Sequence, residues 1–218
     1  MDATLKQAGK VLELFEDTSR EQVQALLASG FLADLRDANI AKVSRDEFRR
    51  LLGLRQLNPP LLETVGTVTV PAITELFIAE EKFSVGDTPK IVWVSGLFRG
   101  WFGSKTEKPM AKTELRIAKL TKSSVDGPIL EELGECAETT LSQIHALLAQ
   151  QPNGEQGLLL TNGLANIFYC LDIEGTLRAV RVHWGGNGWY VDADSVEDPG
   201  RWSAGSRVFS RNSLGSGS

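Results

Sequence analysis

Cysteine, histidine and long apolar runs are scarce in this sequence, and each scarcity excludes something. Two cysteines, Cys136 and Cys170, and two histidines, His145 and His183, are too few for a cysteine-based zinc site, so no structural metal is expected. No disulfide framework is needed either, because a chain of 218 residues buries a core without one. No apolar run approaches the roughly 18 residues of a membrane span, and the opening MDATLKQAGK lacks a secretory signal's apolar stretch. The expectation is a cytoplasmic protein with free thiols and no membrane partner. Neither G-x-G-x-x-G nor G-x-x-x-x-G-K-[ST] occurs, so no cofactor is expected.

What is present is an uneven charge map. The formal net charge of −5 hides a basic belt between acidic flanks. Residues 98–122 carry seven basic side chains (Arg99, Lys105, Lys108, Lys112, Arg116, Lys119, Lys122) against two acidic ones, whereas residues 123–218 carry five against twelve. A small total therefore does not exclude a local anionic partner.

The first 57 residues read as a small helical segment. Val11, Leu12, Leu14 and Phe15 form an apolar stripe; Thr18 with Glu21, and Ser44 with Glu47, form capping-box patterns ahead of apolar runs that end at Gly30 and Gly53. Pro59–Pro60 marks the exit into an α+β domain spanning 58–213, and the final LGSGS (214–218) reads as a flexible linker or cloning scar. In that domain residues 64–70, 90–94 and 113–120 read as strands, 73–83 as a helix, and Ala137 to Gln150 as an amphipathic covering helix.

From Gly157 to Val196, Asn162–Gly163, Glu174–Gly175 and Asn187–Gly188 punctuate strand-like runs, predicting a four-stranded meander in a mostly antiparallel sheet. Two-residue turns would set Ile167 opposite Leu158 and Val182, and Val182 opposite Ala193, with Arg178 an awkward member of the core face. That register places His183 between Asn166 and Asp192, and Arg181 between Asp194 and Phe168, with Cys170 on the same face. A four-residue loop, Gly185 to Gly188, would instead set Tyr190 opposite His183.

Candidate chemistry follows from these placements. His183 with Asp192 makes an oriented general base, and Arg181 holds an anionic substrate group, the pattern of a hydrolase-like enzyme. Solvated cross-strand ion pairs account for the same residues without any function. Ser95 to Gly103 opens the belt, so Trp93, Phe98, Arg99, Trp101, Lys105, Lys108 and Lys112 are candidates for binding single-stranded nucleic acid or an acidic protein through phosphate contacts and base stacking. The aromatics serve equally well as core residues around a turn. Arg45 and Arg49, with Lys42, Arg50 and Arg55 nearby, give a basic helix edge that Asp46 and Glu47 offset as a DNA reader. Trp184, Trp189 and Trp202 with Tyr190 suggest a sugar-stacking face. His145 and Cys136 are too far apart along one helix for a dyad.

The phrases FLADLRDANIAKVSRDEFRRLLGL, LTKSSVDGPILEELG, NGLANIFYCLDIEGTLRAV and WSAGSRVFSRNS together resemble an uncharacterised family predicted in bacteria of the candidate phyla radiation. The resemblance implies a bacterial origin and a single folding unit with an accessory helical segment. It assigns no activity and no functional residue. The leading expectation is a non-enzymatic binding protein using the belt. The alternatives are an enzyme built on His183 and Asp192, or a self-assembling subunit whose acidic half meets the belt of another copy.

Overall fold

The computed structural model describes residues 9–10, 13, 15–37, 44–54 and 60–212, apart from the side chains of 46 and 47. Val11, Leu12 and Leu14 of the first stripe, Lys42, Arg55, Pro59, the side chain of Glu47 and the LGSGS tail lie outside the described residues. The chain divides into two compact units, Met1–Pro59 and Pro60–Ser218.

In the first unit α1 (Arg20–Ala28), α2 (Phe31–Asp37) and α3 (Arg45–Leu51) follow one another. Ser19, not Thr18, caps α1: its hydroxyl accepts from the Gln22 N–H while the Gln22 side chain accepts from the Ser19 N–H. The capping box thus falls one residue beyond the expected one, because an amide at the third position serves as well as a carboxylate.

The second unit runs β1 (Leu62–Val70), β2 (Phe77–Ile78), α4 (Ala79–Lys82), β3 (Gly86–Asp87), β4 (Lys90–Val94), α5 (Gly96–Phe102), β5 (Thr106–Glu107) and β6 (Thr113–Leu120). It continues through α6 (Asp126–Leu133), β7 (Glu138–Thr139), α7 (Leu141–Leu148), β8 (Asn166–Leu171), β9 (Leu177–Trp184), β10 (Trp189–Ser195) and β11 (Arg207–Arg211). Among the described residues nine strands form one mixed, mostly antiparallel sheet in the order β1-β6-β11-β8-β9-β10-β4-β3, with β7 also on β8, and β2 pairs with β5 separately. The α+β class is that expected from the sequence.

Two apolar layers enclose the sheet. On one face Leu141, Ile144 and Leu148 of α7 and Phe98 and Phe102 of α5 pack over Leu115, Phe168, Val180 and Val191. On the other, Ile129 and Leu133 of α6, with Trp202, cover Ala118, Ile167, Tyr169 and Val208. β8 lies between both layers, and Asn166 to Cys170 are all buried, so Ile167 to Cys170 read as a continuous apolar run rather than an alternation.

Several elements differ from expectation, each for a local reason. The covering helix is α7 alone, started by a Thr140–Gln143 capping box, because residues 138–139 join the sheet as β7. The helix expected over 73–83 shrinks to α4, since Phe77–Ile78 pair with Thr106–Glu107. Ser95 to Gly103 is helical despite its glycines: the Ser95 hydroxyl caps the Phe98 N–H at 3.0 Å, and Phe98 and Phe102, one turn apart, anchor α5 in the core.

The meander has three strands, not four. Residues 155–160 are held by side-chain amides in place of a ladder. Gln151 accepts from the Leu159 N–H and donates to the Leu159 and Glu155 carbonyls, and Asn166 pairs with both the N–H and the C=O of Leu160. Gly157 belongs to the same arrangement, because a Cβ there would lie 2.6 Å from the Gln151 side chain. The register also slips by one residue at β8: Ile167 faces Arg181, and Asn166 faces Val182. Val182 in turn faces Val191, not Ala193. The turn after β8 spans Asp172 to Thr176 and that after β9 spans Gly185 to Gly188, so neither has two residues. A one-residue slip sends every β8 side chain to the other face, so Cys170 lies with Val180 and Val182. Arg178 stays on that apolar face without a bulge, bonded to Asp172 at 2.8 Å and lying 4.1 Å over the Trp101 ring.

Candidate functional site

The basic belt does not form an aromatic stacking surface. Phe98 is 2% exposed, and Trp101 is half-buried beneath Arg178. Trp93, 43% exposed, sits on the opposite face of the sheet beside Tyr190. Lys105 donates to the Leu171 carbonyl, Arg116 to the Thr64 hydroxyl, and Lys119 lies 3.5 Å from Glu63. Arg99, Lys108 and Lys112 are exposed. Nor do the tryptophans make a sugar platform. Trp189 is fully buried and donates to the Gln151 carbonyl, Trp184 lies against Gly154, and Trp202 donates to Asp126.

The His183–Asp192 pair is also not formed as expected. Asp192 lies opposite Arg181 and takes its guanidinium at 2.6 Å, while His183 lies opposite Tyr190 and stacks on it with ring centroids 5.1 Å apart. The four-residue Gly185–Gly188 loop sets this pairing, with Gly185 close under the Tyr190 ring. His183 therefore has no carboxylate orienting it. Burial and the Arg181 charge push its pKa below the ordinary value, so the imidazole is neutral at pH 7. Cys170 is excluded as a nucleophile, because burial raises its thiol to about 12.

Arg181 and His183 nevertheless share a cavity. A space of about 160 Å³ is walled by them with Leu164, Arg201, Trp202 and Ser206. Arg181 Nε, His183 Nδ1 and Ser206 Oγ are buried and have no hydrogen-bond partner; among the described residues they are the only side-chain polar atoms so placed. Ser206 is 1% exposed. Buried polar groups are almost always partnered, since leaving one unpaired costs about 1–3 kcal/mol, so three on residues walling one space are unusual.

A second chamber of about 120 Å³ adjoins the first, sharing Arg181, Arg201 and Trp202, and is walled further by Asp126, Asp194 and Asp198. Asp126 Oδ1 accepts from Tyr169 at 2.6 Å and from Trp202 at 2.7 Å, which locks the loop carrying Arg201 to Ser206 against α6. Burial raises the pKa of Asp126 in spite of those bonds, and burial with the nearby Asp192 raises that of Asp194.

A larger cavity of about 670 Å³ lies between α4 and α5, floored by Phe83 and Phe98 and edged by Arg99 and Glu80. None of its walls carries an orphaned polar atom. Sequence reasoning reached Arg181 and His183 but missed Ser206, Arg201 and Asp126. They lie in or beside the β11 loop and α6, where no periodic pattern marked them, and only the fold brings them to β9. No family model, curated protein or solved structure matches the chain.

Proposed function

We propose that this chain is a non-enzymatic binding protein for a small molecule carrying an acceptor oxygen, seated between Arg181, His183 and Ser206. One observation carries the reading: three residues that wall a single cavity, Arg181, His183 and Ser206, each hold a buried polar atom with no hydrogen-bond partner. An oxygen entering between them takes donor bonds from a guanidinium N–H and a hydroxyl, the usual way a small pocket fixes orientation. The larger cavity offers volume without any such unmet demand. Two free thiols and the family resemblance favour a bacterial cytoplasmic setting for this role.

Nucleic acid along the belt is less well supported, because Phe98 is buried and Trp93 and Trp101 lie on opposite faces of the sheet. An enzyme reading lacks the carboxylate that was to orient its base His183, since Asp192 serves Arg181 and is not a wall of the cavity.

The test is a thermal-unfolding screen of wild type and Ser206→Ala against small carboxylates, phosphates and polyols at constant ionic strength. A ligand at about a hundred times its Kd adds about 2.7 kcal/mol, or roughly 5 °C or more for a unit of this size. At least one class should raise the wild-type Tm by that much and the variant's by clearly less. No effect from any class, or an equal effect on both proteins, would remove the proposal.

A further inference from the structure

The two chambers differ in chemistry, and the difference bears on the ligand. The first presents donors; the second presents the carboxylates Asp194 and Asp198 together with Asp126, whose two hydrogen bonds both fall on Oδ1. Counting Asp192, four carboxylates stand against the two guanidiniums of Arg181 and Arg201. Arg181 is already neutralised by Asp192 at 2.6 Å, and Arg201 is engaged with Ser123, its Nη2 donating to the Ser123 carbonyl at 2.9 Å.

A simple anion is therefore poorly suited here. The Arg181 Nε–H and the Ser206 hydroxyl want an acceptor oxygen, yet the surrounding field is negative and repels an uncompensated charge. A ligand that carries its own cation resolves the conflict, provided the cation reaches the acidic chamber.

Strand geometry sets the required length. His183 and Arg181 are two residues apart on β9, and Asp192 and Asp194 two apart on β10, with Arg181 opposite Asp192 in the middle. Successive same-face positions are about 7 Å apart, so the donor chamber and the acidic chamber are offset by about that much along the strands. The ammonium and carboxylate of an α-amino acid share one carbon and cannot span it.

We infer that the cavity reading above extends to a zwitterion, a short ω-amino acid or dipeptide, with its carboxylate among Arg181, His183 and Ser206 and its ammonium on Asp194 and Asp198. The inference rests on the proposed ligand site, and the experiment separates the two. Calorimetric titration of the full chain at fixed ionic strength compares 5-aminovalerate, glycine, valerate and pentylamine.

5-Aminovalerate should bind at least ten-fold tighter than the other three. Asp194→Asn, with Asp198→Asn as a second variant on an exposed side chain, should bring it down to the level of valerate, and Ser206→Ala should weaken both acids. If valerate binds as tightly as 5-aminovalerate and Ser206→Ala weakens it, the zwitterion inference fails and the ligand site stands. If 5-aminovalerate is no better than glycine, the two-chamber span is wrong. If none of the four binds and the wider screen also finds no ligand, both proposals fall and the cavity holds ordered water only.

Discussion

His145 makes stability depend on pH in a direction the structure fixes. It sits on α7 with its ring edge-on to Phe77 and Phe83, at 5.8 Å from each. Burial among these rings, aided by the charge of Lys82, lowers its pKa from 6.5 to about 4. The folded state thus resists a proton that the unfolded state accepts. The penalty is absent above the unfolded pKa, grows as pH falls through 6.5, and is complete below about 4. That gap, at about 1.36 kcal/mol per pH unit, caps the loss at about 3 kcal/mol, and the partial exposure of the ring makes about 2 kcal/mol the working figure. Urea unfolding of wild type and His145→Phe between pH 4 and 8 reads it, because phenylalanine keeps the aromatic packing and cannot titrate. The difference between the proteins cancels the opposing contributions of Asp126 and Asp194, whose raised values favour folding at lower pH. Wild type should lose about 2 kcal/mol relative to the variant on going from pH 7 to 4. A difference that stays within about 0.5 kcal/mol across that range refutes the reasoning.

Other perturbations follow from the same contacts. Asn166→Ala removes three hydrogen bonds and strands the N–H and C=O of Leu160, so urea unfolding should show a loss of about 2–4 kcal/mol. Gly154 sits at φ 71 with the Trp184 ring 2.4 Å from any added Cβ; Gly154→Ala should cost about 2 kcal/mol or more and shift tryptophan fluorescence, and an unchanged spectrum would count against the contact. Lys108→Gln with Lys112→Gln, both exposed, should leave stability within about 0.5 kcal/mol. Wild type should not be retained on single-stranded nucleic acid at about 150 mM salt; retention that falls steeply with salt and is lost in this double variant would restore the belt as a binding surface.

The sequence carried the element types well where local signals act alone. β1 and β4 are β-branched runs and form as such, β6 forms over the expected residues 113–120, and the α7 stripe of Leu141, Ile144, Leu147 and Leu148 faces the core. It carried register poorly, because turn length, not turn composition, decides which residues face each other. Glu174–Gly175 lies in a five-residue loop and Asn187–Gly188 in a four-residue one, so Asp192 moved from His183 to Arg181. The amide clamps of Gln151 and Asn166 look in sequence like ordinary polar residues, yet they replace a strand ladder. Ser206 and Asp126 were illegible for a related reason: their roles depend on two long-range approaches, of the β11 loop and of α6, to one face of the sheet.

The central claim is that the space between Arg181, His183 and Ser206 receives a ligand oxygen. A high-resolution crystal structure of the full chain soaked with 5-aminovalerate tests it most directly. The account predicts carboxylate density within about 3 Å of Arg181 Nε and Ser206 Oγ, with the ammonium toward Asp194. Water alone in both chambers, with those atoms satisfied by it, would contradict the account.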